Sequence, residues 1–335
     1  MNLSNPLPLD PITARTLVLV AVFFILAGLG VITYEKVSKT RDQNLRKRYL
    51  SWYMIAPAVL IPAYFGGLPF AILVGALALY CLKEFFGVVD VWGTSAYKWV
   101  GRISGAALVG AALMESIPWP DPIAGLAQGT PPFSSGSSLA HGLHLFYVLP
   151  VFIIMLVLVI PIILQSYQGM VIKEAFTILG ILYFGWFLGH LVFLRGLDNG
   201  FGYLIFLSMA VVFNDVLAYT VGRMWGKTPL APAISPKKTR EGALGGLAGS
   251  LFAALTFRYA VPDLNLTAVL AAGLLIGVAA PLGDLIISVI KRDMSVKDSG
   301  NLIPGHGGLL DRCDSLIFAT PAFYYYLLLV TRFHL

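Results

Sequence analysis

Charge is scarce in this 335-residue chain: 12% of its residues are charged and 58% are hydrophobic, against about 25% and about 45–50% in a soluble domain. With a mean hydropathy of +0.81, that shortage excludes an ordinary water-soluble enzyme. Cysteine is nearly absent. Cys81 and Cys313 stand in unrelated contexts, and their spacing offers neither a disulfide framework nor a metal site. A contiguous GxxxxGK[ST] phosphate loop is missing, and Gly226-Lys227-Thr228 alone is a weak substitute. The first apolar run, residues 17–34, is preceded only by Arg15 and followed by no small-residue cleavage site, so it reads as a retained helix rather than a signal peptide. No internal repeat and no long linker delimits a soluble domain.

What the chain does have is a succession of apolar runs. In a bilayer only helices and closed barrels satisfy every backbone polar group, and continuous apolar runs select helices. The expected fold is all-α, a polytopic membrane helical bundle with about ten transmembrane helices. The runs fall near residues 17–34, two within 52–82, then 101–113, 145–164, 175–194, 201–221, 243–261, 266–290 and 316–331. The split inside 52–82 is expected at Gly66-Gly67-Leu68-Pro69, because about 30 helical residues overshoot a core of about 30 Å. Residues 85–100 read as an interfacial helix.

The net charge of +6 does not call for nucleic acid, because the basic residues lie between the apolar runs, where positive-inside bias explains them. The densest block, Lys36, Lys39, Arg41, Arg46, Lys47 and Arg48, is expected in the cytoplasm. Alternation then places Lys173, the loop 222–242 and the loop 291–314 on the same side. Residues 116–142, without Lys or Arg, fall outside. Arg195 and Arg258 are the exceptions among the outer loops.

Chemistry concentrates in residues 283–315. Asp215 and Asp284 precede Arg223 and Lys291 by eight and seven positions, which puts each roughly 10–12 Å below a helix end at 1.5 Å per residue. An intramembrane carboxylate costs about 2.5–3.5 kcal/mol and calls for a partner, a cavity or a cation; a structural ion pair answers that demand as well as a functional site. Asp284, Ser288 and Lys291 stand at i, i+4 and i+7, and Asp311, Asp314 and Ser315 at i, i+3 and i+4, each set on one helix face. Between them lies Pro304-Gly305-His306-Gly307-Gly308, whose glycines permit close backbone approach. Carboxylates from separate helices are the hard oxygen donors Mg²⁺ prefers, with phosphates completing its shell. Lys291, Arg292, Lys297 and Arg312 are available to phosphates. Upstream, Ser235-Pro236-Lys237-Lys238-Thr239 offers two hydroxyls and two ammonium groups in one turn, suited to a triphosphate; a solvated basic loop is the plain alternative. His141, His144, His190 and His334 lack ligand spacing and read as structural or interfacial.

Two motifs carry a family resemblance. Ser288-x-x-Lys291-Arg292, Lys297-Asp298 and Pro304-Gly305-His306-Gly307-Gly308-x-x-Asp311-Arg312-x-Asp314, together with Asn214-Asp215-x-x-Ala218-Tyr219 and Ser235-Pro236-Lys237-Lys238-Thr239-x-Glu241-Gly242, resemble the signature of the phosphatidate cytidylyltransferase (CDP-diacylglycerol synthase) family. The resemblance covers about residues 213–315, so residues 1–200 are expected to be N-terminal transmembrane helices and 201–335 the catalytic region. One departure is Ile287, where family members commonly carry an acidic residue. The resemblance implies Mg²⁺-dependent condensation of CTP with phosphatidate to CDP-diacylglycerol and pyrophosphate, at the cytoplasmic side of an integral protein of the bacterial inner (plasma) membrane. It assigns Asp215, Asp284, Asp311 and Asp314 to metal binding or its surroundings, and Lys237, Lys238, Lys291 and Arg292 to phosphates. Ser235, Thr239, Ser288 and Arg312 are expected to line the substrates, with Lys297, Asp298 and His306 at the mouth. Membrane lipid is the expected surrounding partner and nucleic acid is not; a second cation and a homodimer are left open. Rival readings are transfer to another membrane lipid by a cytidylyltransferase or CTP-dependent kinase, and an ion-coupled transporter.

Overall fold

A computed structural model describes residues 11–16, 18–19, 22, 25, 28, 55–89, 95–116, 139–296, 299–300 and 308–333. The basic block 36–48, the loop 117–138, and Lys297, Asp298 and His306 lie outside the described residues, as do the side chains of His141 and His144. Helices dominate: α1 (Ile55–Phe65), α2 (Gly67–Val88), α3 (Ser95–Ser116), α4 (Leu139–Ile163), α5 (Met170–Gly180), α6 (Leu188–Gly196) and α7 (Gly200–Trp225). A hairpin of β1 (Pro229–Ala231) and β2 (Ser235–Thr239) follows, then α8 (Arg240–Thr256), α9 (Leu266–Asp293) and α10 (Leu310–Phe333). Among the described residues, six helical segments are long and apolar enough to cross a membrane. The protein is an integral membrane protein of all-α class. α1, α3 and α8 are shorter or more polar than those six.

The break expected near Gly66 is present. Gly66 and Gly67 both have positive φ, 66° and 49°, a conformation open to glycine at no steric cost. Arg195 explains why a cation sits at this end of the bundle. Its Nε and Nη2 donate to the carbonyls of Ala63 and Tyr64 at 2.5 and 2.7 Å, the last acceptors of α1 that have no helical donor. The guanidinium therefore serves to terminate a helix.

Residues 170–196 form one long span in which Ile181–Phe187 is a π-helix between α5 and α6. The wider turn carries Tyr183, whose hydroxyl donates to the Gly283 carbonyl of α9 at 3.4 Å. His190 is fully buried, with Nδ1 2.8 Å from the Trp186 carbonyl and Nε2 3.1 Å from the Tyr325 hydroxyl, so both ring nitrogens have structural partners. α4 faces outward with Val151, Phe152, Met155, Ile162 and Ile163 exposed, an apolar surface on a helix long and apolar enough to cross a membrane.

Two polar or close contacts fix the C-terminal helices relative to one another. Asn214 in α7 donates to Ser250 Oγ of α8 and to the Gly277 carbonyl of α9, both at 3.0 Å, so three helices are pinned beside Asp215. At Gly283, a Cβ would collide with the Asp314 carbonyl of α10. Only glycine lets α9 and α10 touch there, and that contact brings Asp284 and Asp314 to the same level.

Candidate active site

The end of α9 is shaped by a capping motif that aims the signature residues. Val296 N–H donates to the Lys291 carbonyl at 2.9 Å and Ser295 N–H to the Arg292 carbonyl at 3.0 Å, with Ser295 at φ 57°. This is the Schellman arrangement, with serine where glycine is usual. It stops the helix just past Lys291 and Arg292 and turns the chain back toward α10.

The face expected from i, i+4 and i+7 spacing is realised. Ser288 Oγ donates to Asp284 Oδ1 at 3.3 Å, and Lys291 Nζ reaches Asp311 Oδ1 of α10 at 2.6 Å. Asp311 uses its other oxygen to accept from the Ser299 N–H at 3.0 Å. Behind them Asp314 and Ser315 are buried. Asp314 accepts from the Ser315 N–H at 2.7 Å, while the Ser315 side chain hydrogen-bonds Asp215. Asp215, Asp284 and Asp314 lie within electrostatic range of one another, so α7, α9 and α10 each bring one carboxylate into the same region.

The hairpin closes this site from the side. β1 and β2 pair antiparallel, Pro229 opposite Thr239 and Ala231 opposite Ser235. Successive side chains of a strand point to opposite faces, and this separates the two lysines. Lys238 Nζ meets Asp284 Oδ2 at 2.6 Å, whereas Lys237 is exposed. Arg292 Nε donates to the Ile234 carbonyl at 3.1 Å, a second tie between α9 and the hairpin. Thr239 caps α8, its Oγ1 accepting from the Gly242 N–H at 3.1 Å, an arrangement worth about 1 kcal/mol. Ser235 is half-buried and Arg312 is exposed; Arg312 contributes charge near Asp215.

Glu241 fastens the other end of the hairpin. Its carboxylate accepts from the Lys227 N–H at 3.1 Å and the Thr228 N–H at 3.2 Å. Hydrogen bonds from its own backbone N–H, then from Thr228 and Lys227, hold its pKa down to about 2 from an ordinary 4.5. A pKa lower in the folded than in the unfolded state stabilises the fold above the unfolded value and loses that effect as pH falls through the folded one. The wild type should therefore melt above Glu241→Gln at pH 6, with the gap shrinking between pH 4.5 and 2. A gap in Tm that is the same at pH 6 and pH 2.5 would refute the assignment.

Three features here escaped the sequence. Glu84, near the end of α2, is buried and accepts from Leu309 N–H, Leu310 N–H and Ser299 Oγ. A carboxylate near the end of an otherwise apolar helix was the available signal, but beside Lys83 it resembles an interfacial charge. Cys81 and Cys313, unrelated in spacing, bring their side chains within interaction range of each other. Tyr183 lies within electrostatic range of Asp284 and Asp314. Ile287, at the commonly acidic position, is buried among apolar side chains.

Among the described residues no three His, Cys, Asp or Glu side chains form a ready metal cage. The donor set suits the mode in which Mg²⁺ takes one or two carboxylates and draws the rest of its shell from phosphates and water. Asp284 and Asp215 are the accessible members, and Asp284 is already turned toward a cation, the Lys238 ammonium.

A stretch of 124 residues is 46% identical to "Uncharacterized protein YnbB" of Escherichia coli (strain K12), covering 37% of this chain and 42% of that protein. Over 148 residues it is 40% identical to "Phosphatidate cytidylyltransferase" of Staphylococcus aureus (strain COL), 44% of this chain and 56% of the relative. Over 123 residues it is 48% identical to "Phosphatidate cytidylyltransferase" of Aquifex aeolicus (strain VF5), 36% of this chain and 46% of the relative. The matched stretch thus spans about half the length of these curated relatives. The profile of the cytidylyltransferase family matches residues 46–330, reaching far upstream of residue 213 and including Glu84, and the chain belongs to that family.

Proposed function

We propose that the protein transfers the cytidylyl group of CTP to phosphatidate, forming CDP-diacylglycerol and pyrophosphate. The observation that carries the reading is the convergence of Asp215, Asp284 and Asp314 from three helices against Lys238 of the hairpin. Such a cluster combines hard anionic donors with a cation at one end of a membrane bundle, as a nucleoside triphosphate and a lipid phosphate together require. The relatives named phosphatidate cytidylyltransferase supply the nucleobase and the lipid class.

In the proposed reaction a phosphate oxygen of phosphatidate attacks the α-phosphorus of CTP. The bond between the α-phosphorus and the bridging oxygen to the β-phosphorus breaks, and pyrophosphate leaves with that oxygen. The lipid phosphate is already an anionic nucleophile, so the residues chiefly align the reactants and offset charge. Lys238 and Lys291 would meet phosphate oxygens, with Arg292, Arg312 and Lys237 at the exposed margin. Asp284 and Asp215 would hold Mg²⁺, with Asp314 behind them and Asp311 directing Lys291; the ion supplies charge neutralisation to the triphosphate. We assign the site to the cytoplasmic side of a bacterial inner membrane, because CTP arrives from the cytosol and the site's segments 222–242 and 291–314 are rich in Lys and Arg.

Purified protein given CTP, phosphatidate and Mg²⁺ is expected to release pyrophosphate in step with CDP-diacylglycerol, and a chelator should abolish both. Label from the γ-phosphate of CTP appearing on lipid, with CDP released, would replace the reading by a kinase; no lipid product at all would sink it.

A further inference from the structure

The geometry points to Glu84 as a positioning residue that holds the signature segment so that Asp311 and Lys291 face the site. This role rests on the proposed transfer for its catalytic consequence, though not for its structural one. Glu84 belongs to α2, more than two hundred residues from the segment it binds. Its Oε1 accepts from Leu309 N–H at 3.1 Å, and its Oε2 from Leu310 N–H at 2.8 Å and Ser299 Oγ at 3.2 Å. Leu310 opens α10, so a carboxylate sits on unpaired N–H groups at a helix N-terminus, where negative charge is favoured.

The fit leaves no room for side chains at the flanking glycines. A Cβ on Gly300 would stand 2.5 Å from Glu84 Oε1, and one on Gly308 would strike Ser299 Oγ and come within 2.7 Å of Glu84 Oε2. Glu84 therefore grips both ends of the interval between residues 300 and 308. Ser299 is held twice, its hydroxyl by Glu84 and its N–H by Asp311. Asp311 in turn orients Lys291, completing a chain from α2 to the phosphate-facing ammonium. One turn before Glu84, the Cys81 side chain lies within interaction range of Cys313, which is one turn into α10. That proximity brings α2 and α10 together one turn from Glu84, whose hydrogen bonds set the segment's local geometry.

The test compares the full-length wild type with Glu84→Gln in detergent micelles. Glutamine keeps the size but has a single acceptor oxygen, and its NH₂ would face donors. Amide hydrogen exchange at Ser299, Leu309 and Leu310 is expected to speed by about tenfold or more while the hairpin, residues 229–239, is unchanged. In the same variant kcat should fall about 10–100-fold, the scale of a misplacement near 1 Å, with KM for CTP moving less than about threefold. Ser299→Ala, which removes one of the three donors, should give a smaller change of the same kind, and is the decisive variant should Glu84→Gln not fold. Unchanged exchange in the tested variant, or faster exchange with wild-type kcat, would overturn the role. Absence of cytidylyl transfer by the wild type together with loosened amides in the variant would instead reject the substrate assignment and keep the clamp.

Discussion

Asp284→Asn is expected to lower kcat by about 10²–10³-fold, the scale seen when one preorganised electrostatic group is removed, while barely changing stability. The two effects separate because of where the charges lie. Asp284 pairs with Lys238 at 2.6 Å, but the two side chains keep 32% and 27% of their exposure. Ion pairs that remain wet contribute about 0–1 kcal/mol. In the proposed reaction the same carboxylate stands where a triphosphate and its cation concentrate charge, with Asp215 and Asp314 beside it. Pyrophosphate release and a melting curve measured on one preparation check both halves. Turnover within about threefold of the wild type would remove Asp284 from the machinery, since a lost charge there must register.

Lys291→Met should affect both properties. The Lys291–Asp311 pair is drier, at 14% and 11% side-chain exposure, and removing one partner of a buried pair costs about 3–5 kcal/mol as an upper bound. Asp311 retains the Ser299 N–H, which keeps the loss below that bound. Adding Asp311→Asn removes the abandoned charge, so the double variant should regain most of the lost Tm. It should regain none of the activity, which is expected to fall about 10²-fold or more with the ammonium gone. Recovery of turnover in the double variant would mean that the pair serves the fold alone.

How far the site was legible depended on the range of each interaction. Asp284, Ser288 and Lys291 could be put on one wall because helical spacing determines it, and Ser288 does bond Asp284. The Gly66 break was equally readable, since the glycines sit where the chain must turn. The segment 235–239 was readable as polar turn chemistry, yet its pairing with 229–231 was not. Without that pairing Lys237 and Lys238 look equivalent, whereas strand alternation sends only Lys238 to Asp284. Thr239 read as part of a phosphate-gripping turn, and the structure adds that its Oγ1 caps α8, a role that could not be assigned until the helix start was known. Glu84 and the Cys81–Cys313 contact were illegible for one reason: their partners lie more than two hundred residues away.

The sequence by itself determined the membrane class, the helical nature of the spans, the faces on which charged residues fall and the family signature. The first three follow from composition or from a period of about 3.6 residues, which no distant contact can alter, and the signature from the resemblance of its motif residues. Only the tertiary structure decided which carboxylate met which cation, that α2 supplies Glu84 to the signature segment, and that Gly283 lets α9 and α10 touch. Those outcomes depend on how helices far apart in the chain pack together. Local spacing constrains one wall of a site at a time, and close packing selects its partner.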